Sequence, residues 1–411
     1  MKIVFNLKNF FVLIITAICI CYSLPASTPI ATVEVSQQPS ISSYLKSIHT
    51  QITSLKESGE LPKETIHVVL GNQSADMDSI VSAITLSYAN SKKGLYVPVL
   101  NIPRDDLSLR RDVLYVFETL KIDPNSFLYQ EDLPFILNLA KQGFIRITLV
   151  DHNRLAPDQV ALEKYVERII DHHKEEKSLY PLMKEDEKLI TTMGSNSTLV
   201  AEKILSSNPD SISQDSAYLL LSAILLDTKD LKNEDVATEK DIAIGSLLKE
   251  KAGGYYKSTL FDVLYTSKNA AEHLTPDLAL KKDYKLYKEG KLLYGIASIP
   301  KTIFWTAENR TQWKEVLVHS LEKQQIHLIS ALAFDGTDRF FIVYIPTLPL
   351  QKAFQSHIEQ TANLQDKLIL KEYFPEEGLL FFKLKSQQLG RKQLQPLLSF
   401  EKSDILQNAI P

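Results

Sequence analysis

The chain has 411 residues, of which 44% are hydrophobic and 23% are charged, and its formal net charge is −4. This length is enough for two ordinary domains with buried cores, and the composition excludes a disordered, a collagen-like or a polytopic membrane protein. The charges are nearly balanced and form no polybasic segment, so we expect no nucleic acid among the partners.

An apolar run near the start of the chain, residues 10–22, follows two lysines and contains both cysteines, Cys19 and Cys21. The run is shorter than the roughly 20 residues of a membrane-spanning helix and is typical of a secretory signal peptide. We predict that residues 1–23 are such a peptide; an uncleaved anchor or a first element of the fold are the alternatives. The mature chain would then be secreted or enter a vacuolar or other endomembrane lumen, without disulfides and without a membrane anchor.

Residues 24–60 are rich in Ser, Thr and Gln, and we predict a linker with one short amphipathic helix. From residue 61 to residue 267, short runs rich in β-branched residues alternate with longer helical patterns. The predicted buried strands are residues 66–70, 95–100, 145–150 and 168–170. The predicted helices include residues 107–120, 132–141 and a long helical region from 197 to 251. This alternation predicts an α/β domain with a mostly parallel sheet and helices on both faces.

The pattern changes after residue 267, and we predict a linker at residues 268–277 and a second domain at residues 278–411. Two hairpins are predicted there, one pairing residues 285–287 with 292–299 and one pairing 327–334 with 339–345. Amphipathic helices are predicted at residues 308–324 and 351–364. We therefore expect a smaller α/β domain with a mixed sheet.

Acidic and histidine side chains follow the strands of the first domain at the points where the strands end. In an open parallel sheet these carboxyl ends line one crevice, so residues far apart in sequence meet there. Oxygen ligands with one imidazole suit Mg²⁺ or Mn²⁺ better than a thiolate-preferring metal. The alternative is that each residue is a helix cap or an ordinary loop residue. The set consists of Asp76, Asp78, Asp151, His172 and Asp227.

The order of these motifs resembles the DHH phosphoesterase superfamily: Asn-x-x-x-Asp-x-Asp at 72–78, Asp-His-Asn at 151–153, Asp-His-His at 171–173, Gly-Ser-Asn-Ser-Thr-Leu-Val at 194–200 and then Asp227. More narrowly, residues 71–80, 102–113 and 223–228 look like fungal-type exopolyphosphatases. Residues 280–285 and 391–393 look like the C-terminal, DHHA2-like domain that these enzymes share with prune proteins and family II inorganic pyrophosphatases.

The resemblance implies two divalent cations, Mn or Mg, with Asp151 bridging them. Asp78, His172 and Asp227 would complete one site and Asp76 the other. His173 would face the substrate as a phosphate donor or a general acid, which with Asp151 and His172 gives the expected catalytic residues. The expected substrate contacts are His173, Lys285, Arg391, Lys392 and Asn196.

The resemblance also bears on the substrate. In the pyrophosphatase branch the first motif begins with a metal-binding His, whereas this chain has Asn72. We therefore expect a monomeric exopolyphosphatase that releases orthophosphate from the ends of inorganic polyphosphate. The alternatives are a prune-like or short-chain phosphohydrolase acting on pyrophosphate, tripolyphosphate or nucleotide polyphosphates, and a non-enzymatic polyphosphate-binding protein. Arg104, Arg110 and Arg111 would line a polyphosphate channel or else pair with neighbouring aspartates at the surface.

Overall fold

The computed structural model describes residues 39–175, 187–207, 212–270, 274–299, 309–334, 337–386, 389–398 and 400–410. The predicted signal peptide lies outside these ranges and stays a prediction. None of the helices within the described ranges combines the length and the apolar character that crossing a membrane requires.

The first half of the chain forms one sheet of six parallel strands. The strands are β1 (Ile66–Leu70), β2 (Leu95–Leu100), β3 (Leu128–Tyr129), β4 (Ile145–Val150), β5 (Val166–Asp171) and β6 (Lys188–Ile190). Their order across the sheet is β3-β2-β1-β4-β5-β6, so the order reverses between β1 and β4. In doubly wound folds, ligands bind beside such a reversal, at the carboxyl ends of the strands.

Within the described residues, eight α-helices accompany this sheet. They are α1 (Ile41–Ser58), α2 (Met77–Ala89), α3 (Arg111–Thr119), α4 (Leu133–Lys141), α5 (Asn196–Ser207), α6 (Gln214–Asp227), α7 (Glu239–Ala252) and α8 (Leu260–Asn269). The α2 and α6 helices are buried along most of their length, which explains why their sequences are apolar on all sides rather than amphipathic.

The second half forms a mixed sheet with the order β11-β12-β10-β9-β8-β7. Its strands are β7 (Tyr284–Glu289), β8 (Leu292–Ser298), β9 (Leu328–Phe334), β10 (Arg339–Tyr344), β11 (Leu368–Phe374) and β12 (Leu379–Leu384). Only β8 and β9 pair in parallel, and both predicted hairpins are present. The helices are α9 (Pro276–Lys282), α10 (Arg310–Gln324), α11 (Leu348–Gln360), α12 (Ala362–Gln365), α13 (Arg391–Leu398) and α14 (Asp404–Asn408). The predicted α/β fold class, with a parallel sheet followed by a mixed one, is confirmed.

The segment predicted as a linker with one short amphipathic helix contains a helix that packs on the first sheet. The 18-residue α1 begins after the N-cap Ser40 and ends at Gly59, which adopts the left-handed conformation (φ 66°). Its buried side chains recur at helical spacing and belong to the core of the first sheet, and the Tyr44 hydroxyl donates to the Tyr96 carbonyl (2.7 Å). The predicted amphipathic helix is therefore present, and its one continuous apolar stripe is enough to dock a helix whose other faces are polar. Residues 24–38 of the predicted linker lie outside the described ranges.

The predicted linker at residues 268–277 is also shorter than expected. The α8 helix continues to Asn269, and α9 begins at Pro276 after its N-cap Thr275. Residues 271–273 lie outside the described ranges. One cluster of buried hydrophobic residues lies within residues 41–264, and two lie within residues 279–410.

Candidate metal centre and adjoining cleft

The polar residues that follow β1, β4 and β5 meet at the carboxyl edge of the first sheet, beside the reversal of strand order. Asp151 follows β4 directly, and its backbone N–H donates to the Ile170 carbonyl of β5 (3.0 Å). Its side chain is fully buried, and its φ of 61° lies in the left-handed region, which aspartate tolerates better than most residues. The end of β4 therefore turns a carboxylate into the crevice.

The imidazole of His172 is oriented by a backbone carbonyl. Its Nδ1 lies 2.9 Å from the Met193 carbonyl oxygen and so donates a hydrogen to it, which makes Nε2 the nitrogen that can give up its proton and bind a cation. Nε2 lies 3.3 Å from Oδ1 of Asp151 and 3.8 Å from Oδ2 of Asp78. An imidazole with one nitrogen held by a backbone carbonyl and the other facing carboxylates has the arrangement of a metal ligand.

Several buried polar atoms at this edge fit a cation because they have no hydrogen-bond partner in the described part of the chain. They are Asp151 Oδ1, His172 Nε2, His173 Nε2 and Asp227 Oδ2. Buried polar atoms are rarely left unpaired, and lone pairs of this kind are satisfied by a metal ion. Asp151, His172 and His173 each offer a donor atom within 4.8 Å of the others. The donor set of oxygens and imidazole nitrogens suits manganese or magnesium.

The electrostatics of the cluster also favour a cation. Burial raises the pKa of Asp151 to about 7, and the nearby Asp76 carboxylate adds to the rise. Burial, followed by the charge of Asp78, raises the pKa of Asp227 well above its usual value. For His172, burial acts in the opposite direction, but Asp151 and Asp78 raise its pKa to about 10. The cluster therefore holds more negative charge than a buried site keeps ionised without added positive charge.

Asp78 is anchored by the start of α5. Its Oδ2 accepts from the Asn196 N–H (2.6 Å), and its Oδ1 accepts from the N–H (2.7 Å) and the hydroxyl (2.6 Å) of Ser197. Asn196, which was expected to contact substrate, is fully buried. This corrects the expectation: in the described structure Asn196 positions a carboxylate and does not line the cleft.

The two remaining acidic residues of the predicted set lie at helix ends. Asp76 is the N-cap of α2 and accepts from the Ser79 N–H (3.2 Å). Burial opposes its ionisation, but the charges of Lys392 and Lys268 outweigh that effect and lower the pKa of Asp76. Asp227 is the last residue of α6. Burial raises the pKa of Asp227, and the residue lies close enough to the cluster for the charges of Asp78 and Asp76 to add to this rise.

Asn72, which stands where the pyrophosphatase branch has a metal-binding His, is a donor to Asp151. Its Nδ2 lies 2.6 Å from Asp151 Oδ2 and 3.1 Å from the Asp151 carbonyl oxygen. Its Oδ1 accepts from the N–H groups of Ser74 (2.8 Å) and Ala75 (3.2 Å). Because the amide oxygen is turned into its own loop, the Asn72 side chain buttresses Asp151 and offers no lone pair to a cation in this orientation.

His173 is held by the first residue of the Asp-His-His motif. Its Nδ1 donates to Asp171 Oδ1 (2.8 Å), and Asp171 Oδ2 accepts from Asn153 Nδ2 (2.6 Å). Burial, with the charge of Lys392, lowers the pKa of His173 to about 3. The imidazole is therefore neutral, with its hydrogen on Nδ1 and its buried Nε2 unpartnered among the described residues.

A cleft of about 410 Å³ opens beside Asp151 and His173 and is lined by both halves of the chain. The predicted substrate contacts Lys285, Arg391 and Lys392 all line it. Burial, with Arg391 close by, lowers the pKa of Lys285 to about 8. Five lysines of the lining form no ion pair with a carboxylate of the described residues: Lys174, Lys285, Lys288, Lys392 and Lys402.

Arg391 is less free than its sequence position suggested. It is buried, its Nη2 donates to Asp283 (2.6 Å) and to the Ser74 hydroxyl (3.3 Å), and its Nη1 donates to the Tyr287 hydroxyl (3.0 Å). The bond to Ser74 links α13 of the second half to the loop that follows β1. Arg391 therefore contributes positive charge and joins the two walls of the cleft, while most of its donors are already engaged.

Sequence reasoning did not find several residues that support the site. Arg110 is buried and donates through Nε to the carbonyls of Ser74 and Ala75 (both 3.0 Å), so it clamps the loop and pairs with no surface aspartate. Lys268 lies in the segment that was expected to be a linker. Burial lowers its pKa, but the charges of Asp112, Asp76 and Asp227 outweigh burial and raise it. The guanidinium of Arg104, which was expected to line a channel or pair with an aspartate, stacks on the ring of Tyr129 (4.3 Å). No local signal marks such residues, because their contacts are remote in sequence.

A larger cavity of about 710 Å³ adjoins the cleft and shares Gln73, Asn101 and Leu286 with it. Its lining within the described residues contains none of the acidic or histidine residues of the cluster. The chemistry of the donor set, and not the size of the cavity, therefore marks the smaller cleft as the candidate site.

Two domain families match the chain. Residues 67–224 match the DHH family, N-terminal domain, and residues 262–399 match the DHHA2 domain. A crystal structure of a Methanococcus jannaschii putative family II inorganic pyrophosphatase is similar in fold, with a TM-score of 0.55 and 20% sequence identity, covering 81% of this chain and 98% of that one.

Curated relatives carry names in the same group. "Exopolyphosphatase PRUNE1" of Rattus norvegicus is 32% identical over 239 residues, 55% of this chain and 50% of the relative. "Putative exopolyphosphatase" of Schizosaccharomyces pombe is 32% identical over 292 residues, 66% of this chain and 73% of the relative. "Manganese-dependent inorganic pyrophosphatase" of Methanothrix thermoacetophila is 26% identical over 313 residues, 73% of this chain and 93% of the relative. The chain spans about half the length of the first of these relatives.

Proposed function

The chain belongs to the DHH family and carries a DHHA2 domain in its second half, and on this premise we propose that it is a metal-dependent phosphohydrolase of inorganic polyphosphates. The observation that carries the proposal is the buried group of carboxylate and imidazole atoms that have no partner among the described residues. They lie beside a cleft with five lysines that form no ion pair in the same part of the chain. Such a cleft suits a substrate that is rich in negative charge and a reaction that needs a divalent cation.

The residues that would hold two divalent cations, manganese or magnesium, are Asp76, Asp78, Asp151, His172 and Asp227. When bound, such cations lower the pKa of an attacking water and neutralise the charge of phosphoryl oxygens. Asn72 keeps Asp151 in place by donating to its carboxylate, and the Met193 carbonyl keeps the lone pair of His172 directed at the carboxylates.

Positive side chains of the second half would hold the phosphates. Lys285 and Lys392 line the cleft beside Asp151, and the buried charge of Arg391 faces the same space. His173 is neutral without substrate, but a polyanion close by raises the pKa of an imidazole. We therefore expect His173 to take up a proton when substrate binds and to donate it from Nε2 to a phosphoryl oxygen, with Asp171 holding Nδ1.

For the substrate we propose inorganic polyphosphate longer than pyrophosphate, with orthophosphate released from the chain ends. The number of unpaired lysines supports this, because Lys174, Lys288 and Lys402 add cations to those at Lys285 and Lys392. Asn72 supports it as well, since it offers no ligand atom where pyrophosphatases have a histidine. Hydrolysis of pyrophosphate, tripolyphosphate or nucleotide polyphosphates is the second candidate, favoured by the likeness to a relative that is named a pyrophosphatase.

A chain-length series tests these candidates. Orthophosphate release is measured with pyrophosphate, tripolyphosphate and long polyphosphate, each with Mn²⁺, with Mg²⁺ and with neither. We expect cation-dependent release and a higher kcat/KM for long chains. A higher kcat/KM for pyrophosphate would establish the second candidate, and binding of polyphosphate without any release would establish a binding protein.

We further propose that residues 1–23 direct the chain into the secretory route and that the mature protein is a monomer. N-terminal sequencing of protein purified from its native compartment is expected to begin at Leu24, and light scattering is expected to give the mass of one chain. A sequence that starts at Met1 would refute the signal peptide.

A further inference from the structure

A carboxylate outside the cluster, Asp241, binds the segment that supports two of the residues assigned to the metal. Asp241 lies in the first turn of α7 and is fully buried. Its Oδ2 accepts from the Gly194 N–H (2.9 Å), and its Oδ1 accepts from the Thr198 hydroxyl (2.6 Å). One side chain therefore holds both ends of residues 194–198.

The segment between these two bonds carries the supports of the site. The Met193 carbonyl orients His172, and the N–H groups of Asn196 and Ser197 hold Asp78. Gly194 is packed so closely that a Cβ atom there would lie 2.7 Å from Asp241 Oδ2. A displacement of this segment therefore moves the supports of His172 and Asp78 together.

Helix capping alone does not account for Asp241. Thr238 and Asp241 form a capping box at the start of α7, in which Oδ2 also accepts from the Thr238 N–H (2.8 Å) and hydroxyl (2.7 Å). Capping requires only this pair. The carboxylate is nevertheless fully buried and forms no ion pair with a cation of the described residues, a costly arrangement that the additional bonds to Gly194 and Thr198 offset.

We propose that Asp241 is a positioning residue for the metal centre: it contacts neither metal nor substrate, and it holds residues 194–198 so that His172 and Asp78 face the cation. The proposal rests on the proposed function only in that the cluster binds a divalent cation. Asparagine is a poor test of the clamp, because its amide oxygen can accept from the Gly194 N–H while its N–H donates to the Thr198 hydroxyl, which can accept. Asp241→Ala removes both acceptor atoms. Loss of such supporting bonds typically weakens metal binding by about 10- to 100-fold.

The test measures binding of Mn²⁺ alone, by titration calorimetry, to the full chain. We expect Asp241→Ala to raise the dissociation constant by about 10- to 100-fold and Thr198→Val, which removes one clamping bond, to raise it by a smaller factor. Two further variants serve for comparison. Thr238→Val removes the capping hydroxyl, which also donates to Met193 Sδ (3.0 Å), and leaves the bonds from Gly194 and Thr198 to Asp241. Asp215→Ala removes a carboxylate that accepts from the Ile41 N–H (3.2 Å) at the opposite end of α6 from Asp227.

Asp215→Ala is expected to keep wild-type affinity for Mn²⁺, and Thr238→Val is expected to lose less affinity than Thr198→Val, even where their melting temperatures fall. If Asp241→Ala fails to fold, Thr198→Val carries the test. The proposal would be overturned if the variants at Asp241 and Thr198 bound Mn²⁺ with wild-type affinity, or if Thr238→Val lost as much affinity as they do. Asp241 would then be only a helix cap. A wild-type protein that binds Mn²⁺ but releases no phosphate would refute the proposed function. The Mn²⁺ affinities of the variants would still decide whether Asp241 is a positioning residue.

Discussion

In the protein freed of divalent cations, Asp151 is expected to make a contribution to stability that falls as the pH rises from about 4 to about 7. Burial raises the pKa of Asp151 from 3.8 to about 7. Between these two values the folded state keeps a proton on Asp151 that the unfolded state has lost, so the contribution of Asp151 to the free energy of unfolding decreases with pH. The buried His152 and His173 contribute in the opposite sense, because burial lowers their pKa values to about 4 and about 3. A comparison of the wild type with Asp151→Asn therefore isolates the contribution of Asp151.

The size of the effect follows from the width of that window. Each pH unit over which the folded state holds one extra proton lowers the free energy of unfolding by about 1.4 kcal/mol, so Asp151 alone accounts for at most roughly 4 kcal/mol. The pKa of Asp227 is raised in the same sense. A bound cation takes the place of these protons, so its stabilising effect should grow with pH and its binding should release protons.

Thermal unfolding with EDTA and with saturating Mn²⁺, recorded from pH 5 to pH 8, measures this effect. We expect the difference between the two melting temperatures to widen as the pH rises. Asp151→Asn removes the titrating group, so the melting temperature of the metal-free variant should rise relative to that of the metal-free wild type from pH 5 to pH 7. A difference between the two proteins that stays constant or falls over this range would refute the assignment of Asp151 as a buried carboxylate without a compensating cation.

Three further predictions concern other parts of the molecule. The double variant Lys288→Glu/Lys402→Glu should raise the KM for long polyphosphate by about tenfold or more and leave the KM for pyrophosphate nearly unchanged. The control is Lys281→Glu, at a lysine that is paired with Asp277. Equal effects on both substrates would contradict the assignment of Lys288 and Lys402 to long chains. Ile48→Ala should lower the free energy of unfolding by about 2–5 kcal/mol in urea titrations, whereas exposed Ser47→Ala should change it little; a neutral Ile48→Ala would mean that α1 is not part of the core. Arg110→Met should lower the free energy of unfolding by about 2–3 kcal/mol, because the carbonyls of Ser74 and Ala75 lose a charged donor, while Arg111→Met should leave it unchanged.

The strands that converge on the site were predictable because each is a short β-branched run between polar loops. The ends of β1, β2 and β4 agree with the predicted residues. By contrast, β3 and β6 have only two and three residues, too few for a hydrophobic pattern to separate them from loop. They exist because β2 and β5 offer them hydrogen bonds, which is a property of the sheet and not of the local sequence.

The convergence of Asp151, His172 and His173 was predictable from parallel-sheet geometry alone. The residues that hold these side chains in place could not be predicted from the sequence. Asn196 stands in a polar run whose sequence does not tell whether a side chain faces the cleft or the interior, and its N–H donates to Asp78, which lies more than a hundred residues away in sequence. Arg110, Lys268 and Asp241 are equally hidden, since their partners lie on other elements of the fold.

The central claim is that Asp151 belongs to a cation-dependent phosphohydrolase site, and one comparison tests it most directly. Orthophosphate release from polyphosphate is measured with Mn²⁺ for the wild-type protein and for Asp151→Asn, with Asp215→Asn as the folded control. The account predicts release by the wild type and the control, and a rate at least about 100-fold lower for Asp151→Asn. Release by Asp151→Asn at the wild-type rate would contradict it.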